Sequence, residues 1–277
     1  MKILVTGGTG FVGKELVKLL TKKHEVRCLV RRKRVKNAEN WVGDLTDKES
    51  LKGICEGIRV VIHLATVGEV NAVSKRHYEK CLKTNVQGLK NLLRECEGVE
   101  RIIMLSSLIV KKPYHSAYGD TKKMAEEVLT SSSLPHTIIR VPLICDWKEP
   151  KGEFKRIVKM VKRGYIFMLD HGRYSIDFVS RNKVVREILK EVETSSKCKR
   201  KVIEIVGESL NFNEFVERVM EKYEKKKVKR IKLPFVLVSP FIFLVDLFAR
   251  FFGFVPPISF GRAKYLHEQD KNAPAGI

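Results

Sequence analysis

Residues 3–5 (Ile3, Leu4, Val5) form a short apolar run, and after a glycine-rich stretch Leu16, Val17, Leu19 and Leu20 recur at helical spacing. The pattern predicts a strand, a tight turn and an amphipathic helix at the start of the chain. A second apolar run over residues 25–30, with Val26, Leu29 and Val30 inside it, predicts a second strand, and a third ends before Gly43. Much later, residues 175–179 alternate as a strand expected to return to the main sheet, and a helix follows over about 183–193. Phe215, Val219 and Tyr223 mark another helical face, and residues 233–258 are rich in aromatic side chains.

The first turn carries candidate chemistry. Gly7, Gly10 and Gly13 stand at GxxGxxG spacing, with Thr9, Phe11 and Val12 between them. Missing side chains there allow a tight turn, close approach of a diphosphate to the backbone, and close helix packing. The following helix N-terminus offers free N–H groups and partial positive charge. The second strand ends in Arg31, Arg32, Lys33 and Arg34, where an NAD site would favour an acidic residue for the ribose 2′-hydroxyl. A cationic cluster suits a 2′-phosphate, so NADP(H) is the preferred cofactor and NAD(H) the second. One such charge pair at about 4 Å is worth on the order of 4 kcal/mol before desolvation is subtracted. Asp44, followed by Leu45, is placed to accept from an adenine amino group.

Composition narrows the class. With 277 residues and 44% hydrophobic content, the chain can hold one large α/β domain and a smaller lobe. Met1 and Lys2 lead straight into the first strand, and Cys28, Cys55, Cys81, Cys96, Cys145 and Cys198 lack any CxxC spacing. The expectation is a cytoplasmic protein with reduced thiols and no metal, since the seven histidines show no ligand spacing either. The formal charge of +22 calls for an anionic partner. A phosphorylated cofactor would use a few of these charges and a negative membrane surface many. Nucleic acid is not expected, because no recognisable nucleic-acid module accompanies them.

Further motifs in the first half resemble those of the short-chain dehydrogenase/reductase superfamily, in its extended and atypical branch. The matching stretches are residues 60–66, similar to the fourth strand under the cofactor and including Leu64, Ala65 and Thr66, and residues 83–88, similar to the Asn-containing helix with Asn85. Residues 102–107 resemble the fifth strand and end in Ser106 and Ser107. Tyr118 and Lys122 form the YxxxK pair, and residues 137–144, with Pro142, resemble the sixth strand and the turn packing on nicotinamide. The resemblance implies an α/β fold: a Rossmann-type doubly wound parallel sheet with a smaller C-terminal substrate lobe. The nucleotide domain is expected over residues 1–145 and the lobe over 146–277, with about 172–206 partly returning to the main sheet. Residues 201–210 are assigned by resemblance to the lobe.

Four residues apart on a helix, Tyr118 and Lys122 share one face. An adjacent ammonium would favour the phenolate of a group whose ordinary pKa is near 10, making it a usable acid and base. Ser107 is the third candidate, orienting a carbonyl or alcohol; a shift of one residue would put Leu108 in its place. The resemblance implies hydride chemistry on a small-molecule substrate, either a sugar nucleotide or an apolar or lipid-linked alcohol or carbonyl. A second reading is a non-catalytic NADP(H)-binding structural or redox-sensing subunit, resembling an accessory subunit of respiratory complex I. The chain departs from the usual Arg-Pro and Tyr-Gly, reading Arg140, Val141, Pro142 and then Cys145, Asp146.

In the tail, a basic run over residues 225–232 precedes the aromatic segment. Lys232 and Asp246 bracket 13 uncharged residues, short of the roughly 20 that a membrane span requires. Pro234, Pro240, Pro256 and Pro257 are expected to cut the segment into short pieces. Its apolar residues would surround most of a helix, with Asp246 and Arg250 as a narrow polar stripe. Three covers are open: the protein's own lobe, a second copy in a homodimer, or a lipid surface contacted peripherally.

Overall fold

The computed structural model describes residues 1–194, 200–205 and 207–273. Cys198 and Val206 lie outside the described residues. Strands β1 (Lys2–Thr6), β2 (Glu25–Val30), β3 (Glu39–Val42), β4 (Val60–His63), β5 (Arg101–Ser107) and β6 (His136–Val141) join β10 (Lys201–Glu204) in one sheet. Its order is β10-β6-β5-β4-β1-β2-β3, parallel throughout. Central strands buried on both faces need continuous apolar runs, and every residue of β4 and all but the first of β1 are buried. The winding direction reverses between β1 and β4, which opens a crevice at the carboxyl ends of the strands.

Two helical layers close the sheet. On one face α1 (Phe11–Leu20) packs against α6 (Arg181–Glu193), and Leu16, Val17 and Leu20 share a core with Val184, Val185, Ile188 and Val192. On the other, α3 (Gly88–Arg94) and α4 (Ala117–Thr130) bury Leu89, Leu92, Ala125 and Leu129, with α2 (Lys75–Cys81) packed on α4. A single π-helical segment, Leu82–Gln87, links α2 to α3.

The lobe contains β7 (Leu143–Cys145), α5 (Gly152–Lys162), β8 (Tyr165–Leu169), β9 (Ser175–Ser180), β11 (Glu208–Asn211), α7 (Phe212–Lys222), β12 (Lys229–Leu233), α8 (Phe235–Phe252) and α9 (Phe260–Asn272). A three-stranded sheet β11-β9-β7 and a parallel pair β12-β8 surround an aromatic core. Within it Phe215 meets Phe154 and Phe178 edge-on, at centroid separations of 6.0 and 5.1 Å. An Asn211–Glu214 capping box starts α7 and satisfies two backbone donors that would otherwise be orphaned.

Three expectations change. Residues 175–179 do not return to the main sheet: β9 is the middle strand of the lobe sheet, where its partners β7 and β11 supply its hydrogen bonds. The segment that does return is β10, which was assigned to the lobe, and it pairs with β6 as the sheet edge. The prolines do not fragment the tail either. Pro240 lies inside a continuous 18-residue helix, where the Val236 carbonyl that its missing N–H would have met accepts instead from the Ser239 hydroxyl at 3.4 Å, and α8 stops only at Gly253, whose φ of 75° forms a left-handed cap.

Candidate active site

A cleft of about 880 Å³ lies at the carboxyl ends of the main strands, between the sheet and the lobe. Its floor is the glycine turn. Gly7 takes φ 75°, and its carbonyl accepts from the Gly10 amide at 2.9 Å. A Cβ on Gly7 would stand 2.7 Å from the Ala65 amide nitrogen, and one on Gly13 only 2.2 Å from the Gly7 carbonyl oxygen. Gly10 caps α1 without a side-chain bond, so the first N–H groups of the helix stay free beside the cleft. Thr9, Gly10, Phe11 and Val12 line this end together with Gly7 and Gly13. The bare backbone, the close approach and the open helix terminus fit a dinucleotide diphosphate.

At the far end of the turn, Arg31 and Asp44 face one another across 3.9 Å, with Leu45 beside them. The amide and hydroxyl of Thr46 both donate to one Asp44 oxygen and hold its carboxyl below the ordinary range, Arg31 adding to the effect. Arg32, expected beside Arg31, is exposed and lies off the cleft wall.

The chemical end is built by β4, β5 and α4. Leu64, Ala65 and Thr66 continue β4 along the wall, and Pro142 closes the side above β6. Neighbours on an extended strand point to opposite faces, and Ser106 and Ser107 do so. The Ser106 hydroxyl is turned into the protein and donates to Glu126, so only its backbone can serve a cofactor. Ser107 instead faces the cleft together with Tyr118, and its hydroxyl accepts from the Ile109 amide at 3.3 Å. Gly68, at φ 134°, brings its backbone against the tyrosine ring: a Cβ there would sit 3.1 Å from Tyr118.

Lys122 departs from the expected arrangement. Its ammonium is buried and donates to the Leu105 carbonyl at 2.7 Å, off the cleft surface, instead of reaching toward the phenol. Burial lowers Lys122 to about 8, partly opposed by Glu126. Tyr118 is moved up to about 12, because desolvation outweighs the favourable influence of the nearby Ser107 hydroxyl. The depressed phenol expected from an adjacent ammonium is thus absent from this arrangement.

Asn85 is corrected in the same way. It was expected among the cofactor contacts, yet it is buried in the π-helical segment and its amide is consumed internally. Its oxygen accepts from the Val67 amide at 2.9 Å and the Thr66 hydroxyl at 3.1 Å, while its nitrogen donates to the Val67 carbonyl and the Thr121 hydroxyl. Asn85 ties the loop after β4 to α4, and through it positions Tyr118.

Several contributors gave no usable sequence signal. His63 is buried with Nδ1 2.8 Å from the Thr6 hydroxyl, and burial lowers its pKa to about 3, with Lys122 adding to the shift. Behind the serines, Glu126 receives the Arg140 guanidinium at 2.7 Å, and Arg140 also reaches Glu204 on the sheet edge. On the lobe side Arg262 lines the cleft, paired with Glu153 at 2.6 Å and Asn71 at 3.2 Å. These partners lie far apart in the chain, and only the fold brings them together.

A parallel sheet wound 3-2-1-4-5-6 with a glycine turn at the switch point and a Ser–Tyr pair at the far end defines a dinucleotide-binding fold of dehydrogenase type. The chain belongs to the NAD dependent epimerase/dehydratase family, whose sequence model matches residues 3–144. A protein of Methanocaldococcus jannaschii called an uncharacterized membrane protein is 31% identical over 207 residues, covering 68% of this chain and 62% of its own length. A UDP-N-acetylglucosamine 4,6-dehydratase (inverting) of Campylobacter jejuni is 29% identical over 146 residues, 47% of this chain and 43% of its own. The chain therefore spans less than two thirds of either curated relative. Among solved structures, the UDP-glucuronic acid 4-epimerase of Bacillus cereus, in complex with UDP-glucuronic acid and NAD, superposes with a TM-score of 0.75 at 19% identity. That match covers 97% of this chain and 93% of the epimerase. The UDP-glucose 4-epimerase of Thermotoga maritima with UDP-glucose gives 0.68 at 22% identity, over 98% and 99% of the two chains. At these identities the structural matches speak for the fold.

Proposed function

We propose that this chain is a nicotinamide-dependent oxidoreductase or epimerase/dehydratase acting on the sugar of a sugar nucleotide, with NADP(H) preferred over NAD(H). The observation that carries the reading is that two hydroxyls, those of Ser107 and Tyr118, line the same cleft that begins at the glycine turn. A bound nicotinamide dinucleotide supplies the hydride acceptor and donor. The chain's own residues hold it and move the proton: the Gly7, Gly10 and Gly13 backbone and the α1 terminus take the diphosphate, and Asp44 takes the adenine amine. Arg31, with 80% of its side chain exposed at the cleft end and only a long 3.9 Å pairing to Asp44, is placed to meet a 2′-phosphate, and this supports the NADP preference.

Ser107 orients the substrate hydroxyl or carbonyl, and Tyr118 accepts or returns the proton at its phenol oxygen. Lys122 holds β5 through the Leu105 carbonyl and so positions Ser107 relative to Tyr118. Arg262 on the lobe side, half-buried and paired with Glu153, lines the cleft where it can meet a substrate diphosphate. The Campylobacter relative, named for a UDP-sugar reaction, supports that substrate class.

The test is turnover of a panel of UDP-sugars and apolar carbonyl compounds by purified protein with NADP(H), followed by absorbance at the nicotinamide band and by product analysis. Tyr118→Phe is expected to lose about a hundredfold or more in kcat, while the dissociation constant for NADPH stays within a factor of about two. A Tyr118→Phe protein that matches wild type on every substrate, with cofactor still bound, would favour the non-catalytic subunit instead.

A further inference from the structure

The structure leaves α8 with most of its surface uncovered. Phe235, Val238, Ile242, Asp246 and Ala249, spaced three or four apart, form the stripe that packs on the lobe and on α9. Phe243 also meets Phe260 of α9 edge-on at 5.5 Å, and most of the remainder points outward: Leu237 is 76% exposed, Phe241 69% and Phe251 84%, with Phe248 and Phe252 more than half exposed beside them. The helix has a mean hydropathy of 2.0, and only 11% of it is buried. By length and composition such a helix can cross a membrane. Its own lobe, the first of the covers open to it, therefore accounts for that stripe and its margin and leaves the opposite face bare.

We infer that α8 lies flat in the interface of an anionic membrane, its outward face among the lipid chains and the rest of the protein on one side. Topology rules against a crossing. β12 enters α8 while hydrogen-bonded to β8, and α9 returns to the same lobe, where Tyr265 and Leu266 border the cleft. A spanning α8 would carry α9 away from that wall and place the buried Asp246 carboxylate in hydrocarbon. Charge decides between lipid and a second copy. Lys225, Lys226, Lys227, Lys229 and Lys232 are exposed immediately before α8, and Arg76 and Arg250 flank its end, on a chain of formal charge +22. Two copies joined through α8 would set one basic rim against another, whereas an acidic headgroup layer complements both ends. The exposed aromatics offer no polar group to fix a register with a protein partner.

The full chain is tested by flotation with vesicles of phosphatidylcholine containing phosphatidylglycerol and with phosphatidylcholine alone. Binding is expected on the acidic vesicles and about tenfold weaker on neutral ones or in high salt. Phe248→Glu with Phe251→Glu, both at exposed positions, is expected to reduce binding at least about tenfold at an unchanged melting temperature. Full-length protein that stays off acidic vesicles, or a double variant that floats like wild type, overturns the proposal. So does a solution dimer that the double variant converts to monomer, which would assign the face to a second copy. A C-terminal epitope on the expressed chain should stay protected from protease added to spheroplasts; its digestion would mean that α8 crosses.

Discussion

Glu126 on α4 holds the Arg140 guanidinium with both carboxylate oxygens, Nε at 3.1 and 3.2 Å and a terminal nitrogen at 2.7 Å. The same carboxylate accepts the hydroxyl of Ser106. Since β5, β6 and α4 all meet at this group, the pair fixes the angle at which α4 presents Tyr118 to Ser107.

Breaking a buried pair strands its remaining charge. Glu126→Gln is expected to lower unfolding free energy by about 2–4 kcal/mol. Glu126→Gln and Arg140→Gln together should fall short of their summed costs by about 1 kcal/mol or more, read from urea midpoints. Strict additivity would show the two groups to be independent.

Arg31 is the charge on which cofactor choice is expected to turn. Arg31→Asp should weaken NADPH binding about tenfold, or about 1.4 kcal/mol, and leave NADH equal or tighter, as measured by calorimetry. Arg32→Asp, outside the cleft wall, should move neither constant by much. Equal constants for NADPH before and after the Arg31 change would remove the argument for the phosphorylated cofactor.

His63 makes the fold acid-sensitive. Its folded value of about 3 lies below the ordinary 6.5, so the unfolded chain binds a proton below 6.5 that the folded chain refuses until about 3. Stability from this group is therefore complete above 6.5 and falls as pH drops, by about 2–3 kcal/mol at about pH 4.5. His63→Asn should remove that slope, so the two proteins' urea midpoints converge or cross as pH is lowered. Parallel pH profiles would show that His63 titrates normally.

Gly13 sits where no side chain fits. In Gly13→Ala the new methyl would meet the Gly7 carbonyl and the Gly8 Cα at 2.2 and 2.8 Å, both backbone atoms with nowhere to rotate. The turn must open, at a cost of about 1–3 kcal/mol, and both cofactors should lose affinity together. Retained affinity for both dinucleotides would show that the turn does not seat them.

Local signals carried the reading furthest where chemistry and secondary structure coincide in a short stretch. Gly7 to Gly13 between a strand and a helix, and Tyr118 four residues before Lys122, can be seen without a fold because their partners are neighbours. Ser106 and Ser107 could be distinguished only by strand phase, which residue type does not reveal. Lys122 and Asn85 were found but misplaced: the sequence cannot show that the Leu105 carbonyl and the Val67 backbone consume their hydrogen bonds. The places of β9 and β10 differ from expectation because alternation marks residues 175–179 as a strand without saying which sheet, and that choice depends on which edge is free. Glu126, Arg140 and Arg262 meet partners that are distant along the chain, so no window contained the pair.

The edge of the nucleotide sheet has a kinetic consequence. β10 reaches its place beside β6 only after the chain has left the sheet at Val141 and built β7, α5, β8, β9 and α6. During synthesis the β6 rim therefore stays unsatisfied until residues 201–204 clear the ribosome, and parallel pairing across such a separation is slow. Truncated or stalled products ending before that point would present an open strand to one another, and aggregation of nascent chains should begin there.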